Sequence, residues 1–302
     1  MGRMGMNTRN IRFRSNRVCD ILSLFHEELD AMYGSGEVGV FLDMLFEAFL
    51  GWDKVRLLTS KEETIDQSDL LRFHWALEDL KQSRPIQHII GHTDFCGCRI
   101  EVNPDVLIPR PETVEIVNWT ISQPSTLNSQ FSILDLCTGS GCIAIALKKA
   151  FPQAEVTAVD ISDKALSVAR QNARDNDADI RFLQADVLTP QFSILNAQFS
   201  IIISNPPYVM ERERTGMQRN VLDYDPALAL FVPDDDPLRF YRAIADIARR
   251  QLAKDGLLVV EINEALADET CTLLSHRGLC PTVHTDFRGK PRWIAATLNH
   301  NL

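Results

Sequence analysis

The chain predicts a doubly wound α/β sheet behind a small helical bundle. From Phe131 onward, short β-forming runs alternate with helical patterns, the order that builds strands side by side with helices on both faces. Three of those runs close on an acid, at Asp135, Asp160 and Asp186, and a fourth, Ile201-Ile-Ile-Ser204, runs into Asn205-Pro-Pro-Tyr208. Polar groups therefore gather at the carboxyl edge of the sheet, where open α/β sheets bind their ligands.

Taken in order, the apolar residues Val18, Ile21, Leu22, Leu24, Phe25, Leu29 and Met32 recur with a helical period, and residues 40–50 repeat it. Gly34, Gly36 and Gly39 are expected to separate these two helices. A third helix is expected from a cap at Ser68 through Leu71, Trp75 and Leu80 to Gln82. Its acids and bases are scattered as on solvated faces, so residues 1–88 read as a docking or covering domain without a catalytic constellation. Pro85 should end the helices. Residues 89–107 read as a hairpin linker, with short strands about Gly91 and Gly97, and residues 108–302 as the α/β domain. Within it, strands are expected at 131–136, 155–159, 180–184, around 201, at 257–262 and near 282 and 294. Helices should cover 142–151, 163–176, 237–252 and 265–275, with a long loop after Tyr208.

The 302 residues suffice for two domains, and 45% hydrophobic with 24% charged residues is an ordinary globular composition. A formal charge of −10 without a basic stripe argues against a nucleic-acid partner. The seven cysteines form an odd set with no paired CxxC spacing, which fits reduced thiols and a cytoplasmic protein, with no metal site expected. Cys96-Gly-Cys98 reads as small residues in the hairpin turn. No stretch is apolar for long enough to predict a membrane span. The first 17 residues carry five arginines and no acid; that balance is shared by presequences, and the reading favoured is an untidy bacterial terminus.

Two motifs carry chemistry. In Asp135-Leu-Cys-Thr-Gly-Ser-Gly141 a strand end opens a helix through glycines, so Cys137, Thr138, Gly139, Ser140 and Gly141 offer backbone to a ligand. Continued to Ala144, the loop also fits G-x-G-x-x-A, and Asp160 follows Gly141 by 19 residues, so a dinucleotide site has to be weighed. Against it, Asp135 precedes the glycines, where a carboxylate opposes the positive sulfonium-bearing amino-acid part of S-adenosylmethionine but would repel a pyrophosphate. Asp186 would accept the adenine amino group with Val187 against the ring. Asn205-Pro-Pro-Tyr208 is the second motif. Pro206 and Pro207 lack N–H groups, Asn205 is held extended by the proline after it, and Tyr208 adds a flat face. Such a turn suits a planar –NH₂ group, either a carboxamide or the exocyclic amine of a base. The expected catalytic set is Asn205, Pro206, Pro207 and Tyr208, with Arg110 and Glu112, set beside prolines at a helix start, joining them at the substrate rim. The expected cofactor set is Asp135, Cys137 to Gly141, Asp160, Asp186, Val187 and Asn205. Taken singly, each acid is as well read as a helix cap; the ordered set is not.

Across Arg84-Pro-Ile-Gln87, Val106-Leu-Ile-Pro-Arg-Pro-Glu-Thr113, Asp135 to Gly141, Asn205 to Tyr208 and Gly289 to Arg292, the chain resembles the release-factor glutamine methyltransferases, the PrmC/HemK family. The resemblance implies a Rossmann-like class I S-adenosylmethionine-dependent methyltransferase fold with a mostly parallel seven-stranded sheet. It also implies methylation of the glutamine side-chain nitrogen in the Gly-Gly-Gln motif of a class 1 peptide chain release factor, held in part by the helical domain. The chain departs from the pattern at His88, Val114, Asp225, Asn263 and in Phe231-Val-Pro-Asp-Asp-Asp236. Competing readings are an adenine N6-methyltransferase of DNA or ribosomal RNA, which shares Asn-Pro-Pro-Tyr, a ribosomal-protein glutamine methyltransferase, and a non-catalytic module that holds a release factor.

Overall fold

A computed structural model describes residues 13–123, 131–189 and 197–300, and the described part of the first of its two units, which ends at Ile90, is built on five helices. They are α1 (Val18–Tyr33), α2 (Ser35–Leu50), α3 (Lys54–Thr59), α4 (Gln67–Lys81) and α5 (Ile86–Ile90). Ile21, Phe25 and Leu29 of α1, Phe46 of α2 and Phe73 of α4 are fully buried in one core, with the Phe46 and Phe73 rings 4.5 Å apart.

Three expectations for this unit are corrected. Gly36 and Gly39 do not break the chain; they lie inside α2, because Val38, Phe41, Leu42, Leu45 and Phe46 make one continuous apolar face through that segment. Only Gly34, at φ +83°, turns the chain. The cap of α4 falls at Asp66 rather than Ser68. Pro85 opens α5 instead of ending the helices, its carbonyl accepting from His88 and Ile89, so Ile89 and Ile90 are helical and not strand. The short α3 was not anticipated; Asp53 caps it by accepting from the Arg56 N–H at 2.7 Å.

The second unit, residues 91–302, opens with a hairpin of β1 (His92–Phe95) and β2 (Cys98–Glu101). Its two-residue turn holds Cys96 at φ +49° and Gly97 at φ +77°, the conformation such a turn demands. Then follow α6 (Pro111–Ile121), β3 (Ser132–Leu136), α7 (Cys142–Ala150), β4 (Glu155–Asp160), α8 (Asp163–Asp175), β5 (Arg181–Gln184) and β6 (Phe199–Ser204). The expected loop after Tyr208 has structure of its own: β7 (Val209–Met210), a 3₁₀ turn at Glu211–Gly216, α9 (Arg219–Leu222), α10 (Ala227–Leu230) and β8 (Phe231–Val232), with β7 and β8 paired in parallel. The chain closes with α11 (Arg239–Gln251), β9 (Leu252–Glu261), α12 (Ala267–His276), β10 (Leu279–Thr285) and β11 (Pro291–Leu298).

Seven strands form one sheet in the order β10-β11-β9-β6-β3-β4-β5, and only β11 runs against the others. Alternate residues point to opposite faces. Ile133, Ile201, Ile203 and Val259 pack on one side with α6, α7 and α8. Leu134, Leu136, Ile202, Leu258 and Val260 pack on the other with α11 and α12. This is the mostly parallel, doubly wound sheet that the sequence predicts. The strand order reverses at β3, which lies between β4 and β6, so a crevice opens where β3, β4 and β6 deliver their carboxyl ends. Among the described residues, no helix is long and apolar enough to cross a membrane.

Candidate active site

A cavity of about 460 Å³ occupies that crevice. Thr138 to Ser140 follow β3 on its wall, Asp160 ends β4, Asp186 and Val187 follow β5, and Asn205 and Pro207 follow β6.

The turn after β3 runs through the left-handed region, where glycine is the least strained residue. Cys137, Gly139 and Gly141 have φ of +60°, +55° and +81°. A Cβ on Gly141 would lie 3.1 Å from the Ala169 Cβ, because α7 starts against α8 there. A Cβ on Gly139 would meet nothing within 4 Å, so the space beside it is open to a ligand. Asp160 ties this turn to β4: Oδ2 accepts from the Gly139 N–H and Oδ1 from the Ser162 N–H, both at 2.9 Å. Burial raises its pKa, against the pull of those N–H groups. Asp186 Oδ1 accepts from the Leu188 N–H at 2.8 Å. The helix-capping reading of these acids thus holds in part, since Asp160 and Asp186 organise backbone; the capping side chain of α8 itself is Ser162.

Asp135 does not line the cavity. It is fully buried, and the hydroxyl of Thr138, which does line the cavity, donates to its Oδ2 at 2.5 Å. Among the described residues Oδ1 accepts no hydrogen bond of normal geometry, although the Ala144 N–H at the start of α7 favours the charged form. Burial pushes this carboxyl up to about 7, with the Asp160 charge adding to the rise. Cys137 lines the cavity, but burial and the surrounding acids lift its thiol far above the ordinary range and make it inert.

At the other wall, the Asn205 side-chain amide donates to Thr113 Oγ at 3.3 Å, and among the described residues nothing donates to its Oδ1. Pro207 lines the cavity; Pro206, Tyr208, Gly141 and Glu112 do not. The Tyr208 hydroxyl turns away to donate to Glu261 Oε1 at 3.0 Å, so its ring braces the turn from behind rather than presenting a face to the cavity. Arg110 is on the cavity wall, with its guanidinium 2.5 Å from the buried carboxylate of Asp225. Asn263 holds the turn: its amide donates to the Tyr208 carbonyl at 3.2 Å and to Glu213 at 2.9 Å.

Sequence reasoning missed several residues here. Val106, Leu107, Leu228, Phe231 and Phe240 give the cavity its apolar walls, and Glu261 sits behind Asn205 and Tyr208. Glu261 ends β9, an otherwise apolar strand, and that is the signal that singled out the acids of β3 and β4. Among the described residues no group of three or more His, Cys, Asp or Glu side chains could hold a metal ion.

Residues 123–223 match the family model described as Methyltransferase small domain, and residues 29–91 match PrmC N-terminal domain. The solved hMettl16 catalytic domain, 15% identical, superposes with a TM-score of 0.51 over 80% of this chain and 86% of its own, which shows the fold alone. A doubly wound sheet of this order, cut at its switch point by a glycine turn and bordered by strand-end acids, defines a class I S-adenosylmethionine-dependent methyltransferase. The Release factor glutamine methyltransferase of Flavobacterium psychrophilum (strain ATCC 49511 / DSM 21280 / CIP 103535 / JIP02/86) is 43% identical over 273 residues, covering 89% of this chain and 95% of that protein. That of Bacteroides thetaiotaomicron is 40% identical, covering 91% and 98%. The chain belongs to the release factor glutamine methyltransferase family.

S-adenosylmethionine is the methyl donor of this class, and the residues present fit it. The open backbone at Gly139, the carboxyls of Asp160 and Asp186 on the wall and the orphaned buried oxygen of Asp135 are a donor and acceptor set for a cationic nucleoside.

Proposed function

We propose that this protein methylates the side-chain nitrogen of the glutamine in the Gly-Gly-Gln motif of a class 1 peptide chain release factor, with Asn205 as the residue that receives the amide. One observation carries this reading: Asn205 lines the cavity, its N–H₂ end is turned to Thr113, and among the described residues nothing donates to its Oδ1.

An amide nitrogen is a weak nucleophile because its lone pair is delocalised into the carbonyl. The protein therefore works by placement. Asn205 Oδ1 accepts one of the amide hydrogens, while Pro207 walls the amide plane and the apolar lining excludes water. When bound, S-adenosylmethionine supplies an electrophilic methyl group on a cationic sulfur. Asp186 and Val187 would hold its adenine end, Asp160 its middle, and Asp135, through Thr138, its charged amino-acid end. Placement of this kind contributes up to ~7–11 kcal/mol to lowering a barrier. After transfer the extra proton leaves the nitrogen, so no strong base is needed at the site. The helical unit would help hold the release factor; Val55, Leu58, Leu71 and Trp75 leave apolar surface exposed on α3 and α4.

The test offers release factor and total RNA side by side with labelled S-adenosylmethionine and maps the modified residue by mass spectrometry. Label on the glutamine of Gly-Gly-Gln supports the proposal. Label in RNA alone identifies a nucleobase enzyme instead, and binding of the donor with no methylated product identifies a non-catalytic module.

A further inference from the structure

We propose that Thr113 and Glu261 are positioning residues that set which end of the Asn205 carboxamide faces the substrate. The inference rests on the glutamine reading above and deepens it. An asparagine side chain has two ends of similar shape and opposite chemistry, one accepting and one donating, and a half-turn about its last bond exchanges them. Only the accepting end can take a hydrogen from a glutamine amide. Something must forbid the half-turn.

The hydrogen-bond inventory behind Asn205 does so. Thr113, buried in the first turn of α6, has a single hydroxyl proton, and its oxygen lies 2.8 Å from Glu261 Oε2. An ionised carboxylate accepts and cannot donate, so the Thr113 proton is committed to Glu261. The hydroxyl then has only lone pairs left for Asn205, 3.3 Å away. Asn205 must turn its N–H₂ end to Thr113, which leaves Oδ1 for the cavity. Tyr208 donates to the other carboxylate oxygen at 3.0 Å, so Glu261 is held by two hydroxyl donors and its plane is fixed. The same tyrosine thereby locks the residues flanking Asn205 to β9. Two motifs separated by 92 positions, the threonine of Pro-Glu-Thr and the asparagine of Asn-Pro-Pro-Tyr, meet through one buried acid.

The relay has a direction only while Glu261 is ionised. Around it stand Glu112 and Thr113 from α6, Tyr208 from the turn, Tyr241 from α11 and Arg292 from β11; burial outweighs the two hydroxyl donors and the Arg292 charge and lifts the carboxyl to about 6. A protonated Glu261 can donate to Thr113, which then can donate to Asn205 and admit the wrong end. Turnover at saturating substrates should therefore fall as pH drops through about 6.

The experiment measures methyl transfer to full-length release factor and calorimetric binding of S-adenosylmethionine for wild type, Thr113→Val, Thr113→Ser, Glu261→Gln and Asn205→Ala. Thr113→Val is expected to lose roughly 10- to 100-fold in kcat with cofactor affinity within about threefold of wild type, and Thr113→Ser, which keeps the hydroxyl, to recover most of it. Glu261→Gln, whose amide can donate to Thr113, should lose a similar factor and show a flat pH profile between about pH 5.5 and 7.5. Full turnover in Thr113→Val, cofactor affinity falling in step with its turnover, or Thr113→Ser as impaired as Thr113→Val overturns the relay. Should Thr113→Val fail to fold, the Glu261→Gln profile decides: flat supports the relay, unchanged from wild type overturns it. Wild type that methylates no glutamine, or a fully active Asn205→Ala, overturns the functional reading and the relay together. Loss in Asn205→Ala beside full turnover in Thr113→Val overturns the relay alone.

Discussion

Asn172, buried in the middle of α8, donates to the backbone carbonyl of Ser140 in the glycine turn at 2.9 Å. Its second amide hydrogen goes to the Glu101 carbonyl at 3.0 Å, and its oxygen accepts from the Glu101 N–H at 2.8 Å. One side chain thus satisfies three backbone groups and binds the turn to the hairpin strand β2. Replacing it by leucine fills the volume and orphans all three. Such a change should cost about 2–4 kcal/mol in urea unfolding, since each buried group left unpaired costs ~1–3 kcal/mol. Because the turn loses its anchor, affinity for S-adenosylmethionine should also fall roughly threefold or more. A stability loss with unchanged affinity would show that Asn172 holds only the hairpin.

The two glycines of the turn should fail differently. In Gly141→Ala the new methyl meets α8 at 3.1 Å and the backbone stays at φ +81°, so the variant should lose ~2 kcal/mol or more of stability. Gly139→Ala meets nothing, and only the φ of +55° opposes it, at about 1 kcal/mol. Its methyl would instead occupy space beside the ligand, so cofactor affinity should drop about tenfold with little change in melting. Chemical unfolding together with calorimetric titration of both variants separates the two effects. Equal behaviour would refute the distinction.

Much of this site is readable in the sequence because its parts are local. The strand-end acids and the glycine turn each lie within a few residues of one strand, where β-forming runs and φ requirements leave a direct signature. The rest depends on contacts between distant positions. Arg110 meets Asp225 across 115 residues, and the loop that brings it there is ordered by pairing of two-residue strands that carry no pattern of their own. Asn263 and Thr113 look like caps or ordinary loop residues until the fold sets them against Tyr208 and Asn205. Gly36 and Gly39 mislead for the opposite reason: a local cost of about 1 kcal/mol each is outweighed by the buried face of α2.

Arg110 and Asp225 make an asymmetric pair. The arginine side chain is 32% exposed and the aspartate 1%; among the described residues Asp225 Oδ1 accepts no hydrogen bond of normal geometry, although the Ile108 N–H favours the charged form, and burial outweighs both that group and the guanidinium to raise the carboxyl. Arg110→Met therefore leaves a buried acid without its cation. The folded pKa then rises further, so the native state favours the protonated form and stability falls as pH rises above the unfolded value. The variant should be destabilised by ~1–3 kcal/mol at pH 8 and by less at pH 5. Arg110→Met with Asp225→Leu should recover part of the loss. Because Asp225 closes the loop carrying Leu228 and Phe231 against the cavity, KM for release factor should also rise in the single variant. A penalty independent of pH would count against an electrostatic cause.

Asp135 links cofactor binding to protons. Burial lifts its folded pKa to about 7, well above the ordinary carboxylate range. The native state thus holds a proton that the unfolded chain releases, so this carboxyl's contribution to stability is complete below about pH 4 and is lost as pH rises to about 7. Asp135→Asn removes that dependence and should be more stable than wild type at pH 8, by ~1–4 kcal/mol. It should also bind S-adenosylmethionine at least tenfold more weakly, because the orphaned oxygen and its charge are lost. In the wild type a bound cation pulls the carboxyl pKa down, so binding near pH 7 should release a fraction of a proton, and affinity should rise between pH 6 and pH 8. Titration calorimetry in two buffers of different ionisation heat counts that proton. Proton uptake, or an affinity flat across those two pH units, would remove Asp135 from the cofactor's charge balance and leave it a structural acid of the glycine turn.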